Sequence, residues 1–190
     1  IVWIERQSWS SKKIFWNQIV SFEKLQIFLN TNPEYAGLII FLLAFGESMV
    51  ITGSILPSAI LFSVCVFIFN SEILSIYLIA LFAMFGSHLG DLGGFFVGKT
   101  IGPNILKMRF FEKWSKLIGR GQKFLDRFGD YAVIFGRFVP AIRPIAPFLI
   151  GLSDLRAIRF YRADIIACLL WGIALIFLVL SVGSIFKWAF

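Results

Sequence analysis

Apolar residues fill this chain in long blocks, and the polar positions inside those blocks gather at a few points. Residues 9–29 are the exception. Trp9, Phe15, Ile19, Phe22, Leu25 and Leu29 recur at near-helical spacing, with Lys12, Lys13, Glu23 and Lys24 between them. That alternation predicts a helix lying in a membrane interface, and Asn30-Thr31-Asn32-Pro33-Glu34 predicts a turn and a new helix start. Residues 35–69 are almost wholly apolar. About 20 residues make one membrane span and about 40 make two, so this block falls between. Gly46, Glu47, Gly53, Ser54, Pro57 and Ser58 lie in its middle. Two short helices with a broken tip fit this pattern, as a re-entrant hairpin; the alternative is one tilted helix kinked at Pro57.

Residues 73–102 read as a transmembrane helix. Gly86, Gly90, Gly94, Gly98 and Gly102 recur every fourth residue and draw a small-residue stripe that lets another helix approach. Residues 103–130 form a basic interfacial connector: Leu106, Phe110, Trp114, Leu117 and Ile118 take one side, and Lys107, Arg109, Lys113 and Lys116 the other. Residues 131–151 read as a second re-entrant hairpin, and residues 165–186 as the final span. The expected fold is an all-α polytopic membrane protein: an N-terminal interfacial segment (1–34), then a membrane domain (35–190) in which two hairpin-plus-span units form an inverted repeat.

Composition supports the membrane class. Of 190 residues, 58% are hydrophobic, and mean hydropathy is +0.84. A soluble domain cannot hide that much apolar surface. The net charge of +7 then fits cytoplasmic loops and anionic headgroups, with no soluble domain to bind nucleic acid. No cleavable signal peptide is recognisable, and because the chain opens on Ile1 rather than Met, further N-terminal sequence is expected ahead of it. Cys65 and Cys168 sit in apolar segments without metal-ligand spacing and read as small hydrophobes. Neither a metal nor a cofactor is expected.

The densest chemistry lies in Phe135-Gly136-Arg137-Phe138-Val139-Pro140-Ala141-Ile142-Arg143-Pro144-Ile145-Ala146-Pro147. An arginine at the bilayer centre costs roughly 2.5–3.5 kcal/mol on insertion scales. Backbone broken by Pro140, Pro144 and Pro147 is tolerated at that depth only where protein or a wet cavity satisfies it. Arg137 and Arg143 are therefore the candidate anion site, since guanidinium stays charged and offers phosphate a planar fork. The bland alternative is a pair of arginines snorkelling to headgroups. Glu47 is either a partner for one arginine or a proton-coupling carboxylate, and Asp91 is a weaker candidate for the same roles. His88, the sole histidine, reads as a packing residue. Gly93-Gly94-Phe95-Phe96-Val97-Gly98-Lys99-Thr100 matches a phosphate-loop pattern, but that loop needs a preceding buried strand, and here a glycine-striped span precedes it. No nucleophile–base pair points to an enzyme.

These residues together resemble the DedA family, bacterial members of the VTT or "SNARE-associated" membrane superfamily. The resemblance covers roughly residues 35–186. It rests on Gly136-Arg137-Phe138-Val139-Pro140-Ala141-Ile142-Arg143-Pro144 followed by Pro147 and Gly151, on Gly86, Gly90, Asp91, Gly98 and Gly102, on Glu47 and Pro57, and on Phe160 and Trp171. It implies facing re-entrant hairpins and lipid translocation in the bacterial cytoplasmic membrane. Undecaprenyl phosphate is the implied lipid for bacterial members, and phospholipids for eukaryotic relatives. Arg137 and Arg143 would then hold the phosphate, with Glu47 as acidic partner or proton site.

One position departs from the family pattern: where many members carry a second acid after the proline-serine pair, this chain has Ala59. The segment from Glu47 to Pro57 is closer to a subgroup sometimes fused to a lipid phosphatase, which implies a phosphatase or a second copy of the chain as possible partners. The expected function is a flippase-like or scramblase-like transporter of an anionic lipid. The alternatives are a proton-coupled exporter of small cations or drugs, and a non-transporting scaffold.

Overall fold

The computed structural model describes residues 23–50, 52–53, 57–105, 123, 127–129, 131–139, 143, 145–153 and 155–189. Most of the expected N-terminal interfacial segment and most of the basic connector, as well as Pro140 and Pro144, lie outside the described residues. The chain divides into two compact units, Ile1–Ala36 and Gly37–Phe190. In the first, helix α1 covers Glu23–Thr31 and a 3₁₀ turn covers Pro33–Tyr35. The rings of Phe28 and Tyr35 lie 5.9 Å apart in this unit.

The second unit holds the site, and its regular structure among the described residues is all helical. Helix α2 runs Ala36–Ser48 (entering the unit at Gly37), α3 Ser58–Asn70, α4 Ile76–Ile105, α5 Tyr131–Phe138, α6 Ala146–Gly151 and α7 Ala157–Ala189. Two helices are long and apolar enough to cross a membrane, over Ile76–Thr100 and Ala157–Ser184. At 1.5 Å rise per residue, the 13 residues of α2 or of α3 extend only ~20 Å, short of the ~30 Å hydrocarbon core. Large apolar side chains stay exposed along the long helices, Phe85 and Phe96 on α4 and Leu169, Ile173 and Phe177 on α7 among them. Water would penalise such a surface, whereas lipid tails accept it.

The breaks have local causes. Pro57 takes an extended backbone, φ −69° and ψ 134°, at the N-cap of α3, where its missing N–H costs nothing. At the end of α2, the Gly53 N–H donates to the Met49 carbonyl at 2.7 Å. A Cβ on Gly53 would overlap the Glu47 and Met49 carbonyl oxygens, so only glycine fits there. Between α5 and α6 the Arg143 N–H donates to the Val139 carbonyl at 2.9 Å. Pro147 lies in the first turn of α6.

The glycine stripe of α4 receives two different partners. A Cβ on Gly86 would strike the Phe41 carbonyl, and one on Gly90 would come within 2.7 Å of the Phe45 carbonyl and the Ser48 side chain, so α2 lies against this half. Gly94 and Gly98 face α6 instead: a Cβ on the first would stand 3.3 Å from the Pro147 side chain, and one on the second 3.2 Å from the Gly151 Cα. Gly102 continues the stripe within α4. Close backbone approach, the reason small residues favour helix pairing in lipid, thus brings α2 and α6 onto one helix. Phe95 of α4 stacks on Phe160 of α7, ring centroids 4.3 Å apart, within a buried cluster that also holds Ala132, Val133, Ile150 and Ala163. This cluster anchors α5 and α6 between the long helices.

The last span differs from expectation. The sequence pattern places its start at residue 165, after Arg156, Arg159 and Arg162, but α7 begins at Ala157. Arg159 and Arg162 are exposed on its first turns while Ala163 and Asp164 are buried on another face. The basic residues therefore decorate the helix rather than precede it. Lys99 and Thr100 stand at the end of the apolar span Ile76–Thr100, while α4 itself continues to Ile105; Lys99 Nζ donates to the Leu155 carbonyl at 3.1 Å.

Candidate functional site

Five charged side chains converge inside the second unit. Glu47 comes from the last turn of α2, Asp91 from the middle of α4, Arg137 from the last turn of α5, Arg143 from the α5–α6 turn and Asp164 from the second turn of α7. Their relative exposures run only from 2% for Asp164 to 9% for Arg143. Charges this deeply buried must be paired, because isolated ions in a low-dielectric medium cost far more than any fold can offset.

The pairing divides into two halves. Arg143 Nη1 donates to Glu47 Oε1 at 2.6 Å. Arg137 Nη1 donates to Asp91 Oδ2 and, at 3.3 Å, to Asp164 Oδ1. Asp164 extends the second half: its Oδ2 lies 2.6 Å from His88 Nδ1 and 3.7 Å from Cys168 Sγ. The edge of the Tyr161 ring packs on the imidazole, centroids 5.1 Å apart.

Trp171 completes the site. Its ring lies 4.8 Å from Arg143 Cζ and 5.7 Å from Arg137 Cζ. Both guanidinium groups thus share one aromatic partner, a contact worth about 0.5–2 kcal/mol when desolvated. The arginines engage carboxylates only through Nη1. Nε and Nη2 of Arg137 and of Arg143 have no hydrogen-bond partner among the described residues, and neither has Glu47 Oε2. Nε and Nη2 form the side-on edge of the guanidinium fork, which takes an oxyanion with two parallel bonds. Between the arginines, Asp91, Asp164, Pro147 and Phe160 help to line a cavity with about 10 Å³ of free space, room for about one water.

The structure thus unites Arg137, Arg143, Glu47 and Asp91, and adds four residues that no sequence pattern assigned to the site: Asp164, His88, Cys168 and Trp171. Asp164 escaped notice because three arginines just before it mimic a span boundary. A usable signal existed: Phe160, Asp164, Cys168 and Trp171 recur at helical spacing on one face of α7. His88 is satisfied by its bond to Asp164, and Cys168 is buried against the same carboxylate. Gly53 and Pro57 stand at the α2–α3 break rather than in the site.

Residues 56–181 match the VTT domain family model. The chain belongs to this family, which includes the DedA proteins. It is 29% identical over 147 residues to the inner membrane protein YabI of Escherichia coli, covering 77% of this chain and 58% of YabI. An uncharacterized membrane protein of Mycobacterium tuberculosis is 29% identical over 150 residues, covering 77% of this chain and 61% of that protein. Protein DedA of Escherichia coli is 26% identical over 140 residues, covering 70% of this chain and 62% of DedA. The chain thus spans roughly three-fifths of these relatives' length. No solved structure matches it.

Proposed function

We propose that this VTT-domain chain is a multi-pass transporter of the bacterial cytoplasmic membrane that moves a phosphate-bearing lipid between leaflets. The phosphate is held by Arg137 and Arg143 while the acyl or prenyl tail stays among the apolar helices. The observation that carries this reading is the fork edge, Nε and Nη2, that has no partner among the described residues on either buried arginine beside one cavity. A phosphate monoester offers enough oxygens to bridge two such edges without displacing the carboxylates on Nη1. Trp171 supports both guanidinium groups from one side. The α2–α3 and α5–α6 pairs act as the two re-entrant arms, since α2 and α3 are each too short to cross alone.

The free space takes about one water and is too small for a phosphate group, so the described arrangement is the closed one. Headgroup entry requires the arms to part along the glycine stripe. Undecaprenyl phosphate, the lipid implied by the family resemblance, is the substrate to test first. Proteoliposomes would compare its movement between leaflets with that of a zwitterionic phospholipid, for wild type, Arg143→Lys and the Arg137→Ala/Arg143→Ala double variant, with insertion verified for each. The expected result is movement by wild type, partial movement by Arg143→Lys, where an ammonium keeps charge but loses the fork, and none by the double variant. Equal movement by all three would overturn the reading.

A further inference from the structure

His88, Asp164 and Cys168 bring one nitrogen, one oxygen and one sulfur donor together where α4 meets α7. One imidazole nitrogen, one carboxylate oxygen and the thiol sulfur all lie within 4.8 Å of one another. We propose that these three side chains form a binding site for a divalent transition-metal ion of the zinc class, independent of whether the chain moves lipid.

Four observations carry this. The donor set is imidazole, carboxylate and thiol, the mixture that zinc and its neighbours accept and that magnesium or calcium, which prefer oxygen, do not. Asp164 and Cys168 stand four residues apart on α7, so one helical face aims both at His88 on α4. Asp164 Oδ1 is already engaged by Arg137, which turns Oδ2 toward the imidazole and the thiol; an outer hydrogen bond of this kind is what orients a metal-ligating carboxylate. Finally, charge is unbalanced here. Among the described residues Arg143 and Glu47 match one to one, while Asp91 and Asp164 share Arg137, and Asp164 has only the titratable His88 besides. The excess carboxylate charge must be met by a proton or by a metal ion. A divalent ion with a Cys168 thiolate and a neutral His88 supplies one net positive charge and balances the group.

The fit needs only side-chain adjustment. Tetrahedral zinc with ligands at about 2.0–2.3 Å sets its donors roughly 3.3–3.8 Å apart. The Sγ–Oδ2 distance of 3.7 Å already meets that, and the 2.6 Å Nδ1–Oδ2 hydrogen bond opens slightly when a metal replaces its proton. The His88 side chain keeps 14% exposure, against 3% for Asp164, and marks the route of entry. A water completes the fourth position. No local pattern joins His88 to the Asp164–Cys168 face, because His88 and Asp164 are 76 residues apart.

The test titrates the purified full chain in detergent with Co²⁺, whose bond to a thiolate produces a charge-transfer absorption band. One equivalent per chain should produce the band, and Zn²⁺ should displace it. His88→Gln and Cys168→Ser should each weaken binding by more than the ~10–100-fold that loss of an outer partner costs. The charge-transfer band should vanish in Cys168→Ser and persist in Cys65→Ser, since the Cys65 thiol is not among the three donors. Circular dichroism and gel filtration confirm that each variant is folded. Absence of the band in folded wild type, or its persistence in Cys168→Ser, would overturn the proposal and leave a proton to balance Asp164.

Discussion

Arg137 and Arg143 look alike in the sequence but are held differently. Arg137 has two carboxylates, Asp91 and Asp164, whereas Arg143 has one, Glu47, among the described residues. Glu47→Gln therefore leaves a buried guanidinium without a counter-charge, which typically costs 3–5 kcal/mol. Asp164→Asn leaves Asp91 in place, so its cost should stay near ~1–3 kcal/mol. Thermal unfolding in detergent should rank Glu47→Gln below Asp164→Asn, and the reverse order would mean that Glu47 is not the principal partner of Arg143. Trp171 allows a second test. Trp171→Phe keeps a ring face under the guanidinium groups and Trp171→Leu does not. Lipid movement should survive the first change better than the second, with the leucine variant weakened by about 0.5–2 kcal/mol in headgroup binding. Indistinguishable variants would reduce Trp171 to a packing residue.

For the helices, the decisive feature is the α4 stripe, because it seats both the Glu47 arm and the arginine arm. The fit is reciprocal: a Cβ on Gly98 would strike the Phe148 carbonyl, and one on Gly151 would strike the Phe95 carbonyl. Gly98→Ala and Gly151→Ala should each lower stability by about 1–3 kcal/mol through overpacking, and both should impair the site by shifting α6. Gly93 lies off the stripe and meets only the flexible Met49 side chain, its sulfur 3.1 Å away, so Gly93→Ala should be tolerated. Melting curves for the three alanine variants test the contrast, and a Gly93→Ala loss as large as that of Gly98→Ala would refute it. The stripe itself was legible from a four-residue repeat. Its division between two partners was not, because the repeat says only that something approaches closely.

Across the whole molecule, the tight cavity makes motion a requirement of the proposed transport. Gly94 and Pro147 offer a way to arrest it: a Cβ on Gly94 would stand 3.3 Å from the Pro147 Cβ, close to the spacing of a disulfide. The Gly94→Cys/Pro147→Cys double variant, oxidised, should insert and fold but move no lipid, and reduction should restore movement. Undiminished transport by the cross-linked protein would show that α4 and α6 need not part. The membrane class, the two spans and the two broken apolar blocks were all readable in the chain, since bilayer thickness sets a length that hydropathy alone can be measured against. The start of α7 at Ala157 is not legible in the chain, because exposed arginines on a helix and arginines flanking one look the same in sequence.

The sequence by itself determined the membrane class and the glycine face of α4, and it singled out Arg137, Arg143, Glu47 and Asp91, which the structure brings together. Each shows as a local anomaly: charge, proline or regular glycine where lipid favours none of them. Only the tertiary structure decided which acid meets which arginine, that Trp171 lies beside both, and that Asp164, His88 and Cys168 join the group. Those contacts join residues from 27 to 96 positions apart, apart from the Asp164–Cys168 step within α7. Such pairings depend on how the helices cross, and no local pattern encodes that.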